Sequence, residues 1–475
     1  MSQSRLSAHR RRYTGSFPFH RRQSARSVHG AHPALAVPTA SRRRKIAAHL
    51  APLLRGLVSQ EQPLVARFED SDDILHFVSG AALGLERTRT VLQEGAATPD
   101  HILNIKRTPM WIEPANLDDP QSVEQATRAA LARYTQEYRA SFQRYQQGEF
   151  MLAPLPRVVL VVRLGMFALG KNSRAAGISA DIAHHTFAIM ERAEHTGTYR
   201  SLSREDAFRA EYWPLELDKL HLLPPEKQLN RRVAAEGAHV ICADIDHEKA
   251  EEVAAQLTRT WLHNRALAIA LDVTDEDAVD AVYQRILCEY GSLDVLVSNA
   301  GIAHNCPLDT LSLSDWQRSL AINATGHFLV TREALSVMKA QGIGSSLVFI
   351  ATKNVPASGK DFGAYSASKA AQAQLARVAA LEGGPFGICS NIINPDAIFS
   401  GSGLWSPQVR TERARSYGID ASQLEEFYRQ RNLLQMDVRA EDVAEAAVFF
   451  ASASSSCTTG CMLPVDGGLR EAFPR

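Results

Sequence analysis

Apolar positions along this chain follow two periods. From Ile46 to Leu57 they recur at helical spacing, and Glu124 to Tyr145 carries the same period over a longer stretch. Asp70 and Ser71 are suited to cap a helix beginning at Asp72. Arg157-Val-Val-Leu-Val-Val-Arg-Leu-Gly then reads as a buried strand feeding, through a glycine turn, a helix from Ala175 to Ala193. In the second half, short apolar runs alternate with helical stretches. The runs are Gly237 to Asp246, Ala266 to Thr274, Leu293 to Gly301 and Ser346 to Thr352, and the helices are expected at 248–258, 275–290, 312–340 and 363–382. This alternation predicts an α/β fold with a doubly wound parallel sheet, whose ligands bind beyond the carboxyl ends of the strands.

Composition narrows the class. A chain of 475 residues with 45% hydrophobic content is long enough for two or three globular domains. No uncharged apolar run approaches the roughly 20 residues that span a bilayer, and a formal charge of zero gives no bulk case for nucleic acid. The six cysteines, all in the second half, lack paired metal spacing and read as thiols of a reducing cytosol. Charge is uneven: no acidic residue precedes Glu61, while arginines crowd the same stretch. Residues 1–44 are therefore expected to be a basic, solvated leader, and globular patterning begins near residue 45.

Gly165-Met-Phe-Ala-Leu-Gly170-Lys171 has the spacing of a phosphate loop, but Asn172 stands where a Ser or Thr would meet magnesium, and the interior is bulky and apolar. It is expected to be a strand-turn-helix corner. Among the histidines, His29 and His32 lack an accompanying carboxylate, and His101, His184, His185 and His195 lack an i, i+4 partner, so no metal site is expected. Asp244 ends the first run of the second half, where a carboxylate can accept hydrogen bonds from both ribose hydroxyls and repel a 2′-phosphate, which favours NAD over NADP. Asp246 lies further on and reads as the cap of the next helix.

Residues 226–475 resemble a short-chain dehydrogenase through Asn299-Ala300-Gly301, Asn323, Thr352, Tyr365 with Lys369, and Asn394-Pro395-Asp396. The resemblance implies catalytic roles for Thr352, Tyr365, Lys369 and Asn323. It implies cofactor contacts at Asp244, Asp272, Val273, Asn299, Ala300, Gly301, Tyr365, Lys369, Pro395 and Asp396. Tyr365 and Lys369 share a helix face, so the ammonium is expected to lower the phenol's pKa and let Tyr365 act as general base or acid while hydride moves to or from nicotinamide. Thr352 would hydrogen-bond the reacting oxygen, and Asn323 would hold a water linking Lys369 to solvent. Lys353 and Lys360 are read as surface charge.

The family opens this domain with a strand and a Thr-Gly-x-x-x-Gly-x-Gly loop, but here Pro224 to Asn230 runs directly into Arg231 to Gly237, which resembles only the end of the following helix. The first strand and the pyrophosphate cradle are thus expected to be missing. One conceivable substitute is Val158 to Val162 with Gly165 and Gly170. Residues 45–225, through Ala97-Thr-Pro-Asp-His101, Pro156-Arg-Val-Val-Leu, Gly165 to Lys171 and Glu211-Tyr-Trp-Pro, resemble part of the aldolase region of bifunctional rhamnulose-1-phosphate aldolase/alcohol dehydrogenases. Together these resemblances imply a cytoplasmic, NAD-dependent oxidoreductase of a small hydroxyaldehyde or polyol, such as lactaldehyde, in rhamnose-type catabolism. It would bind no membrane or nucleic acid and would form a homo-oligomer. A catalytically impaired homologue is the alternative.

Overall fold

The computed structural model describes residues 34–59, 62–214, 238–261, 265–400 and 405–472. Most of the basic leader and the junction from Pro224 to Gly237, with the boundary placed at 225/226, lie outside the described residues.

The first module begins with α1 (Ala40–Val58), β1 (Val65–Glu69), α2 (Asp72–Val78), α3 (Leu85–Glu94), α4 (Pro99–Ile105), β2 (Met110–Ile112) and α5 (Pro120–Tyr145). It ends with β3 (Val158–Val161), β4 (Gly165–Gly170), α6 (Ser173–Thr196) and α7 (Arg204–Glu211). Its sheet runs β1-β4-β3-β2, with β4 antiparallel to both neighbours and β2 parallel to β3. Two expectations change here. The Gly165 to Gly170 segment is a buried strand, not a turn: its backbone is paired by β1 and β3, and Met-Phe-Ala-Leu fills both faces of the sheet. The run from Val158 belongs to this mixed sheet, so it does not replace the missing strand of the second module.

Asn172 caps α6, its Oδ1 accepting from the Ala175 amide at 2.8 Å. Asp119 caps α5 through the amides of Gln121 and Ser122. Between α4, α5 and α7, buried Lys106 donates to Glu211 at 2.6 Å and to the Tyr138 hydroxyl at 3.0 Å, and Tyr138 donates to Glu211 at 2.8 Å. Of the histidines singled out, His184 meets Asp73 at 2.7 Å, while His101 meets Thr186 at 3.3 Å and lies edge-to-face with His185, ring centroids 6.0 Å apart. Among the described residues no cluster of three metal-ligating side chains forms.

The second module continues with β5 (Val240–Asp244), α8 (His247–Trp261), β6 (Ala266–Ala270), α9 (Glu276–Tyr290), β7 (Val295–Ser298) and α10 (Leu313–Leu320). A π-helical turn (Ala321–Gly326) leads into α11 (His327–Gln341), followed by β8 (Ser345–Ile350), α12 (Gly363–Gly383) and β9 (Ile388–Pro395). The module closes with α13 (Pro407–Tyr417), α14 (Leu424–Arg431), α15 (Ala440–Phe450) and β10 (Met462–Val465). All pairings are parallel, in the order β10-β9-β8-β7, with β5-β6 as a separate pair.

Among the described residues no strand joins β5 to β7, the seam expected where the first strand is missing. Burial follows the seam. Leu347, Val348 and Phe349 of β8 are fully buried, whereas Val297 of β7 is 43% exposed.

The modules share a core. Ala48, Val65 and Ala176 of the first pack with Ile269, Val279, Leu329 and Phe349 of the second. Buried Arg55 on α1 pairs both Nη atoms with Asp294 at 2.6 and 3.0 Å and donates through Nε to the Leu64 carbonyl. Beside it, Gly56 lies against the end of α11, where a Cβ would sit 1.9 Å from the Gln341 carbonyl oxygen. Gly56→Ala is therefore expected to push α1 off α11 and lower stability by about 1–3 kcal/mol, read as a shift of the urea-unfolding midpoint. An unchanged midpoint would show that this contact does not hold the modules together.

Candidate active site

Parallel strands deliver their carboxyl ends to one edge, and the residues singled out in the sequence gather there in two groups. Thr352 follows β8, whose register with β9 is extended by the Ala351 amide donating to Ile393 at 2.9 Å. Tyr365 and Lys369 lie one turn apart on α12, both buried. The Thr352 hydroxyl lies close enough to the Tyr365 phenol to act on its ionisation. Lys369 Nζ donates to the Ile350 carbonyl at 2.9 Å.

This geometry corrects the expected electrostatics. Burial raises the phenol of Tyr365 above its ordinary value, and the nearby Thr352 hydroxyl only opposes that rise. Lys369 does not bring it down, because its ammonium is turned to Ile350 and is itself desolvated, with a pKa lowered to about 7.

Asn323 occupies the π-helical turn before α11, an irregularity of the kind that recurs at functional sites. Its Oδ1 accepts from the Ile302 amide at 2.9 Å, while its Nδ2 donates to the Ile302 carbonyl at 2.9 Å and to Ser368 Oγ at 3.0 Å. The side chain thus braces the segment after Gly301 against α12. Gly301 fits this corner because it has no side chain: a Cβ would lie 3.2 Å from Asn323 Oδ1 and 3.4 Å from Lys369 Nζ.

Three residues absent from the sequence reading complete the support. Buried His327 places Nε2 2.9 Å from the Ala300 carbonyl, and Nδ1 lies 2.6 Å from Ser298 Oγ and 3.2 Å from Gln372 Nε2. A carbonyl only accepts, so Nε2 carries the proton and Nδ1 receives Ser298 and Gln372. Burial and the nearby Lys369 push the imidazole's pKa down to about 3, which keeps it neutral. Gln372 also reaches the Ile350 carbonyl at 3.3 Å. Spacing held a signal for both, since Gln372 continues the Tyr365–Lys369 face and His327 follows Asn323 by four residues.

The second group lies at the ends of β5 to β7. Asp244 is exposed, its Oδ1 taking the Asp246 amide at 2.9 Å, and Asp246 caps α8 through the Lys249 amide at 3.2 Å. Asp272 accepts from the Thr274 amide and hydroxyl at 2.9 and 2.7 Å, which holds its carboxyl below the usual range. Val273 packs against Gly326, and Asn299 to Gly301 are exposed. Pro395 closes β9, and the carboxylate of Asp396 is committed to Arg431, both oxygens lying 2.7 Å from Nη2. Lys353 is not surface charge: it is half-buried, and its amide donates to the Pro395 carbonyl at 2.9 Å. Lys360 is exposed, as expected.

A parallel sheet with acidic and small residues at its strand ends, beside a buried Thr-Tyr-Lys group, defines a Rossmann-type α/β domain. Residues 45–220 match the family model described as aldolase class II, second domain, and residues 227–470 match that described as enoyl-(acyl carrier protein) reductase. YuxG, an uncharacterized oxidoreductase of Bacillus subtilis (strain 168), is 39% identical over 454 residues, 91% of this chain and 65% of that protein's length.

Cis-4-hydroxycyclohexanecarboxylate dehydrogenase of Sinomonas cyclohexanicum is 36% identical over 239 residues, 50% of this chain and 89% of that protein. Sorbitol-6-phosphate 2-dehydrogenase of Escherichia coli (strain K12) is 30% identical over 239 residues, 50% of this chain and 90% of that protein. The chain belongs to the short-chain dehydrogenase/reductase family of oxidoreductases, with a class II aldolase second domain fused ahead of the dehydrogenase domain. No helix among the described residues is long and apolar enough to cross a membrane.

Lys369 gives this site a pH signature. Its folded pKa, about 7, lies below the ordinary 10.5, so between these values the unfolded chain binds the extra proton and stability rises with pH. Below that window the cost of the buried charge is fully present. Lys369→Met is expected to flatten the rise, gaining on the wild type as pH falls through the window in thermal-unfolding curves. Parallel curves would contradict the burial of a titrating ammonium.

Proposed function

We propose that the chain is an NAD-dependent oxidoreductase that interconverts a small hydroxyaldehyde or polyol with its carbonyl partner, lactaldehyde in rhamnose-type sugar catabolism being what its family resemblance implies. The observation that carries this reading is the convergence of Thr352, Tyr365 and Lys369 at the end of β8. The dehydrogenases of sorbitol 6-phosphate and D-threitol among its relatives support a polyol-like substrate. Exposed Asp244 at the end of β5 supports NAD over NADP.

The described residues fit the two ends of a nicotinamide dinucleotide but not its middle. Asp244, Asp272 and Val273 would hold the adenosine end, and Asn299, Ala300, Gly301, Tyr365, Lys369, Pro395 and Asp396 the nicotinamide end. Gly301 leaves room for close approach beside Lys369. No glycine-rich cradle for the pyrophosphate stands among them. When bound, the cofactor supplies the hydride acceptor or donor.

Thr352 orients the substrate oxygen, and Tyr365 transfers the proton to or from it. Because burial keeps the phenol protonated in the neutral range, Tyr365 is set as an acid toward a carbonyl, and oxidation of an alcohol needs its deprotonated form. Catalysis of oxidation is therefore expected to gain with rising pH and reduction to fall. Steady-state kcat/KM profiles in both directions test this, and oxidation falling with pH would contradict it.

A second reading, a homologue that retains the fold without turnover, is favoured by the seam between β5 and β7. NADH titration separates the two. Saturable fluorescence enhancement, weakened about tenfold by Asp244→Ala, supports the enzyme; no binding at millimolar NADH supports the impaired homologue. The exposed Val378, Leu381 and Phe386 along and beyond α12 support assembly into a homo-oligomer.

A further inference from the structure

The wall beside Thr352 carries positive charge that the proton-transfer chemistry does not use. Lys353 follows Thr352 directly, and its main chain is tied to the end of β9. Its side chain is half-buried, and its Nζ finds only the Ala357 carbonyl, at a weak 3.4 Å. Among the described residues no carboxylate lies within ion-pairing distance of it. Asp396 is near enough to act on Lys353 but is occupied by Arg431.

Arg413 is a second neighbouring cation. It is buried against Phe362 and Tyr417 and donates to the Tyr428 hydroxyl at 3.1 Å and the Lys360 carbonyl at 3.0 Å. Burial above all, and then Arg431 and Arg413, push the Lys353 pKa down, while Asp396 and exposed Glu471 oppose them.

Contacts join this cluster to the reacting group. Tyr365 packs on Phe362 with ring centroids 5.9 Å apart, Phe362 lies under Arg413, and Arg431 stacks 3.7 Å over the Tyr428 ring. On the other side Lys353 is covalently next to Thr352. Asn354 Oδ1, which like Arg413 Nη2 lies near Gly359, is buried without a hydrogen-bond partner, as is Asn394 Oδ1 on β9. A half-buried lysine beside two arginines, without a carboxylate of its own, is unfavourable unless a ligand supplies negative charge. Amide oxygens left unpaired are suited to receive substrate hydroxyls.

We propose that Lys353 is the centre of an anion subsite beside Thr352 and Tyr365, which receives the phosphate or carboxylate of a polyhydroxylated substrate or product. The inference rests on the oxidoreductase reading above and narrows its substrate class. Within the polyols it selects phosphorylated or carboxylated members. For a small hydroxyaldehyde, the group that would meet Lys353 is a phosphate or carboxylate carried on the same carbon chain.

The test is calorimetric titration of the full chain with sorbitol 6-phosphate, gluconate and neutral sorbitol, for wild type, Lys353→Met and Lys353→Arg. The wild type is expected to bind at least one anion about tenfold or more tighter than sorbitol, with the advantage lost in Lys353→Met and largely kept in Lys353→Arg. Preference for the phosphate or for the carboxylate identifies which anion the subsite takes. Equal affinity for all three probes, no binding of either anion, or an advantage that survives in Lys353→Met overturns the proposal. NAD-linked turnover of the same compounds reports separately on the oxidoreductase reading, so anion binding without turnover would sink that reading and leave the subsite standing.

Discussion

A strand inside a parallel sheet must be hydrogen-bonded along both edges, and the second module meets that requirement on one side of its site only. β8 and β9 have neighbours on each edge, so their carboxyl ends are fixed, and with them Ile350, Thr352 and Pro395. From Ile350 the order spreads outward. Its carbonyl takes Lys369 and Gln372, Gln372 reaches His327, and His327 holds Ala300. The proton-transfer group is thus anchored to the best-paired part of the sheet. Among the described residues, β5 and β7 each lack a strand partner on the side where the family's first strand would stand, and Asp244 and Asp272 depend on the β5-β6 pair.

The first module bears on this arrangement through packing rather than chemistry. Its α1 lies on α9 and α11, the helices that flank the seam's β7, and Arg55 reaches the residue just before that strand. Burying an arginine is costly without a partner, and Asp294 with the Leu64 carbonyl satisfies this one. The aldolase-type module thus packs against the dehydrogenase domain through α1.

Local pattern made much of this legible. Helix and strand positions in the second module, the Thr352–Tyr365–Lys369 group and the seam seen among the described residues all follow from short-range spacing and from motif order. What escaped depends on distant partners. Gly165 to Gly170 carries glycine at both ends and so reads as a turn, until β1 and β3 are known to pair with it on both edges. Lys353 reads as surface charge because the groups that enclose it, Arg413 and Arg431, arrive from helices far along the chain. The Tyr365 phenol was expected to be lowered by its neighbour, since spacing shows that Lys369 shares its face but not that its ammonium is drawn to Ile350.

Thr352, Tyr365 and Lys369 are thus built on fully paired strands, whereas Asp244 lies beside a seam left unpaired among the described residues. Backbone hydrogen–deuterium exchange tests it most directly. The account predicts strong protection through β8 and β9, and exchange faster by orders of magnitude at the seam-facing amides of β5 and β7. Uniform protection of all four strands would contradict it, because another segment would then have to fill the seam.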